Sequence, residues 1–146
     1  MTLFRTESPR ATSIHVKTGS AFHLVLGSSG AVLLSALTPA ARQRIIENAP
    51  DECWQFQTRA DVSRRIADVA KGGASADSGS YRPMVFAISA PLYDRSGAIV
   101  AAITAIGFRE DFDGPRMKPN RKRVIETAAR CSELLQGGMS DKAHAA

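Results

Sequence analysis

The residues best suited to chemistry are few and scattered. Gly27-Ser28-Ser29-Gly30 precedes an apolar run, Ala31 to Leu37, and could present either a nucleophile or a cradle of backbone amides. The nucleophile reading is poor: the turn lacks the Gly-x-Ser-x-Gly spacing of an elbow, and His23 sits in an apolar run with no acid partner in view. A helix opening at the serines would aim free N–H groups and the positive end of its dipole at an anion such as a carboxylate. Two serines that merely cap the helix fit the same residues, and the sequence leaves both readings open. Asp77 lies in a small-residue stretch, GGASADSGS (72–80), and by residue type alone reads as a solvated turn residue. His15, His23 and His144 are dispersed, and neither Cys53 nor Cys131 has an acid or imidazole at ligand spacing, so no metal or other cofactor is called for. Cys131 falls on an apolar stripe and reads as a buried small hydrophobe, while Cys53 beside Trp54 packs in a loop or strand.

Charge offers one further candidate. The chain carries 19 Lys and Arg against 14 Asp and Glu, a formal +5. The whole excess lies in residues 116–123, RMKPNRKR, which hold five cations and no acid. Such a run would grip phosphates if it faced one groove, but no recognition helix, zinc motif or aromatic interleaving accompanies it. It reads as the solvated entrance to the last helix.

These residues must be positioned by a single domain. A chain of 146 residues, 44% hydrophobic and 23% charged, buries roughly 70% of its unfolded surface and needs no staple. Two cysteines do not make a disulfide framework, and there is neither a signal-peptide run nor the ~18 apolar residues of a membrane helix. The expectation is a soluble, cytoplasmic protein that touches no membrane.

Patterning then places the elements. Thr2–Phe4 and Ser13–Lys17 are candidate strands around a Ser8-Pro9-Arg10 turn. A helix opens at the serine pair; Thr38-Pro39 caps a second, which ends at Asn48–Pro50. Thr58 with Asp61 forms a capping box before Val62, Ile66 and Val69, and Gly72-Gly73 closes that helix ahead of the small-residue loop. Met84–Tyr93 and Ala98–Phe108, joined by Asp94-Arg95-Ser96-Gly97, form a hairpin in the middle of a sheet, apolar on both faces. One face is expected to carry helices and the other to line a cavity. Pro91 predicts a bulge or unpaired edge. Val124, Ala128, Cys131 and Leu135 mark a final helix that stops at Gly137-Gly138, and 138–146 read as a flexible tail.

Taken together, SSGAVLLSAL (28–37) and FAISAPLYDRSGAIVAAITAIGF (86–108) resemble the C-terminal effector-binding domain of IclR-type bacterial transcription regulators. The likeness spans about Thr2 to Gly137, with Gly30 at a family glycine, and its specific part is the hairpin from Ala87 to Ala102. The resemblance implies an α+β, GAF-like fold: a central antiparallel sheet, helices around it and a small-molecule pocket. It implies no enzymatic activity but a small carboxylic-acid effector, its carboxylate on backbone amides at Ser28 and Ser29. The family's acidic contact falls on Asp77, its pocket cysteine on Ala87, and its two polar positions on the second hairpin strand on Thr104 and Ile106.

Departures from the family pattern shape these expectations. The family lysine after the glycine is Ala31, its histidine is Val25, its glutamates after the acid are Gly79 and Ser80, and its glycine before the hairpin is Met84. With Ala87 and Ile106 apolar, the effector should be less polar than a two- or three-carbon keto acid, an aromatic or longer aliphatic acid being favoured. Such regulators reach DNA through an N-terminal winged helix-turn-helix, which residues 1–146 do not contain, and the sensor domain is expected to lack its first elements. A sheet edge left open in that way predicts a homodimer or homotetramer. The competing expectation is an oligomerisation module whose pocket no longer functions.

Overall fold

The computed structural model describes residues 1–7, 9, 14, 16–80 and 82–137. Helix α1 (Gly27–Ser35) is followed by α2 (Pro39–Glu47), a 3₁₀ turn (Asp51–Trp54) and α3 (Arg59–Gly72). Strands β1 (Ser75–Ser78), β2 (Val85–Tyr93) and β3 (Ile99–Phe108) follow. A short α4 (Arg109–Phe112), a 3₁₀ turn (Gly114–Arg116) and the long α5 (Met117–Leu135) complete the order.

The helix boundaries follow local chemistry. Thr38 Oγ1 accepts from Ala41 N, and Pro39 occupies the first turn, where its missing N–H costs nothing. Thr58 and Asp61 close the expected capping box, and Gly73, left-handed at φ +68°, ends α3. Helix α1 differs from expectation: its N-cap is Leu26, which supplies no side-chain bond, so Ser28 and Ser29 lie inside the first turn and are not caps. Gly30 is required by close approach, since a Cβ there would stand 2.1 Å from the Leu24 carbonyl oxygen.

The sheet is antiparallel, in the order β1-β2-β3. The segment read as a loop therefore contains a strand: Ser75–Ser78 has poor β propensity, but pairing with β2 satisfies backbone groups that burial would otherwise strand. The hairpin is not central among the described residues, because β3 is the edge. Pro91 stays in register opposite Ala102, and the irregularity falls one residue later, between Leu92 and Tyr93. Thr2–Phe4 is not a strand; Thr2 exchanges backbone hydrogen bonds with Gly19 and Ser20 instead, at 2.8 and 2.9 Å. Of the second candidate strand, Ser13 and His15 lie outside the described residues, and Ile14, Val16 and Lys17 belong to no strand. The tail from 138 onward, with His144, also lies outside them.

The two sides of the sheet are packed differently. Ala74, Phe86, Ile88 and Ala90 form an apolar core with Phe112 and with Val124 and Ala128 of α5. The buried stripe of α5 continues to Ser132; Cys131 is only half-buried and Leu135 is exposed, so the i, i+4, i+8 row governs. A second apolar core joins α1, α2, α3 and the turn between them through Ala31, Leu34, Ile46, Cys53, Val62 and Ile66. Burial and the neighbouring Glu52 raise the Cys53 thiol above its ordinary pKa, which suits a packing role. Where α1 and α3 meet the sheet, the contact is polar.

Candidate functional site

Alternation along the strands builds this polar layer. Asp77, Ala87 and Ile106 are cross-strand partners in one row, and Ser75, Ser89 and Thr104 in the next. Residues two apart share a face, so both rows look toward α1 and α3. Ser28, in the first turn of α1, reaches down to Ser89, Oγ to Oγ 2.7 Å. Ser89 Oγ in turn lies 2.8 Å from Thr104 Oγ1. A chain of hydroxyls thus runs from the buried helix opening to an exposed edge strand.

Beside it stands an ion pair. Arg65 and Asp77 have side chains only 2% and 3% exposed, with Nη1 3.5 Å from Oδ1. Asp77 Oδ1 also accepts from Ser80 N at 3.1 Å. Arg65 Nη2 donates to the Val25 carbonyl at 3.3 Å and to Gln57 Oε1, while Gln57 Nε2 donates to the carbonyls of Val25 and Cys53. Burial pulls the Arg65 guanidinium below its usual pKa, and the charge of Asp77 opposes that shift. Arg65 Nε and Ser75 Oγ are buried without a hydrogen-bond partner among the described residues. A Cβ built on Gly27 would lie 4.0 Å from Asp77 Oδ2, so this carboxylate stands next to the opening of α1.

The structure therefore brings Ser28, Asp77, Ala87, Thr104 and Ile106 onto one side of the sheet, with Ala87 and Ile106 half-buried. Ser29 is exposed on the other side of the helix turn and stands outside the cluster. Asp77 is not a solvated turn residue. Arg65, Gln57, Ser75 and Ser89 were not singled out by type or spacing. One signal for Arg65 is legible afterward: it falls three residues after Val62 and four before Val69, on the buried stripe of α3.

The other candidates resolve into architecture. Arg121 Nη2 donates to the carbonyls of Gly72 and Ala74 at the end of α3, Arg116 donates to Glu110, and Lys122 lies 3.7 Å from Glu126. The basic run thus spends several of its cations on the protein itself. His23 Nδ1 accepts from Val25 N. Among the described residues no cluster of His, Cys, Asp and Glu could hold a metal ion, and no helix is long and apolar enough to cross a membrane.

Comparison with known proteins agrees with this architecture. No match is found among the curated proteins. Among solved structures, the Agrobacterium tumefaciens repressor BlcR superposes with a TM-score of 0.74 at 23% identity, over 82% of this chain and 50% of that one. Pseudomonas aeruginosa HmgR gives 0.68 at 24%, over 92% and 54%. An IclR homolog from Microbacterium hydrocarbonoxydans, complexed with 4-hydroxybenzoate, gives 0.72 at 19%, over 87% and 52%. At these identities the likeness is one of fold, and this chain spans about half the length of each relative. The family described as bacterial transcriptional regulator IclR C-terminal matches residues 1–133, and its members are regulators, not enzymes. A three-stranded antiparallel sheet with helices on both sides, matched along nearly its whole length by one family, leaves a single assignment: the chain belongs to the C-terminal domain family of IclR-type bacterial transcriptional regulators.

Proposed function

We propose that this domain senses a small organic acid on the α1-facing side of its sheet and converts binding into a change of conformation or association. The observation that carries the reading is the buried polar layer itself. A domain gains stability from apolar packing, yet here Ser28, Asp77, Arg65 and Ser89 occupy the space between helices and sheet. Ser28 and Thr104 supply hydroxyls, Asp77 a buried carboxylate beside the helix opening, and Ser29 a further backbone amide there. Ala87 and Ile106 offer apolar wall, which suits an aromatic or longer aliphatic acid, and a relative of the same fold has been crystallised with 4-hydroxybenzoate. DNA contact belongs to a winged helix-turn-helix of a longer regulator acting in the cytoplasm. A thermal-shift screen against acetate, butyrate, benzoate and 4-hydroxybenzoate tests the reading, because a ligand that binds only the folded state raises Tm. Concentration-dependent stabilisation by at least one acid, weakened by Thr104→Ala, is expected; a flat response across the panel rejects it.

A second reading is an oligomerisation module, favoured by strand β3. Its ten residues carry no charge and no proline, it is the sheet edge among the described residues, and Val100 is 51% exposed. Such a strand invites pairing with a second copy, as a homodimer or homotetramer. Light scattering should then give twice or four times the chain mass, and Val100→Lys should return the monomer. A monomer at all concentrations disposes of this reading.

A further inference from the structure

We infer that Arg65 is the anion receptor of this domain and that Asp77 is its resident counter-ion, which an effector carboxylate must displace. The inference rests on the effector-binding reading above and adds the group that recognises the charge.

A guanidinium is charged at every accessible pH and presents five N–H donors. In Arg65 these donors are incompletely used. Nη2 is committed to Val25 and Gln57, which anchor the group from the helix side. Nη1 meets Asp77 only at 3.5 Å, well beyond the ~2.7–2.9 Å of a charge-assisted bond, and Nε has no partner among the described residues. A buried cation with one loose counter-ion and one idle donor is under-coordinated. Asp77 also lies beside the opening of α1, whose N-cap residue Leu26 provides no side-chain acceptor. One carboxylate at this spot would draw on both the guanidinium and the positive end of the helix dipole. Asp77 currently fills that role from within the protein.

The row that begins at Asp77 continues through Ala87 and Ile106, so a ligand lying along this apolar wall delivers its own carboxylate to the same donors. Two carboxylates sharing one buried cation repel each other, so the gain of one is the release of the other. Release of Asp77 loosens β1 from α3, which this pair joins by charge. Binding at the sheet thereby reaches the helical side, as differential affinity for two states requires.

The test uses the full chain with benzoate as probe and benzamide as its neutral control, followed by calorimetry. Asp77→Asn removes the resident charge and should tighten benzoate binding at least tenfold while leaving benzamide unchanged. Arg65→Gln, alone or combined with Asp77→Asn, should abolish benzoate binding; Arg65→Lys, which keeps the charge, should restore part of it and guards against misfolding as the cause. In ¹⁵N spectra the Arg65 Nε–H resonance, identified by its loss in Arg65→Gln, should move when benzoate is added. Benzoate binding that ignores both Asp77→Asn and Arg65→Gln overturns the receptor assignment and leaves effector binding standing. Absence of binding by benzoate and by every other acid of the panel, in the unaltered chain and in Asp77→Asn, overturns both.

Discussion

Replacing Arg65 by methionine should damage the fold far more than replacing the ion pair as a whole. Methionine roughly fills the volume of the arginine stem but removes the cation. Asp77, 3% exposed, then loses the guanidinium beside it, and Gln57 Oε1 loses its donor. Breaking a buried pair in this way costs about 3–5 kcal/mol. A domain of this size has roughly 5–15 kcal/mol in total, so the loss is a large fraction of its stability. With about 2–4 °C of Tm per kcal/mol for chains of this length, the midpoint should fall by roughly 6–20 °C. Arg65→Met with Asp77→Leu removes both charges, and most of the loss should return, because desolvating such a pair costs nearly as much as its attraction gains. Urea unfolding followed by the fluorescence of Trp54, the single tryptophan, measures the four corners of the cycle. A loss below about 1 kcal/mol for Arg65→Met, together with additivity in the double variant, would show that water reaches the pair and that the burial argument is wrong.

Gly30→Ala should destabilise strongly, at or above the top of the usual ~1–3 kcal/mol for overpacking, because its Cβ would meet the Leu24 carbonyl oxygen at 2.1 Å; chemical denaturation measures the loss. Ser89→Ala leaves the buried Ser28 hydroxyl without its partner, a loss of about 1–3 kcal/mol, and adding Ser28→Ala should recover part of it, whereas Thr104, being exposed, is solvated instead. The Asp61 carboxyl is held below its ordinary pKa first by the backbone N–H of Thr58 and then by the Thr58 hydroxyl. A folded-state pKa below the unfolded one means this contribution is complete above the unfolded value and fades as pH falls through the folded one. Stability should therefore decline from about pH 5 downward, and Asp61→Asn should flatten that decline in acid titration of Tm.

Much of the architecture was legible in the chain because it is decided locally. Thr58 with Asp61, Thr38 with Pro39, and the Asp94–Gly97 turn each satisfy their own backbone within a few residues, so their chemistry shows in short spacing. The two-residue alternation of β2 and β3 likewise fixes which side chains share a face, and the hairpin carried the family likeness. Tertiary structure decided what depends on distant partners. Ser75–Ser78 became a strand only because β2 lies beside it, and Asp77 left solvent for the same reason. Ser28, for which the sequence left a cap and an anion cradle both open, bonds Ser89, 61 residues away. Burial on the α3 stripe forces Arg65 to find Asp77, Gln57 and Val25, none of them near it in short sequence spacing. A desolvated charge takes its meaning from whatever surrounds it, and those surroundings exist only in the folded chain.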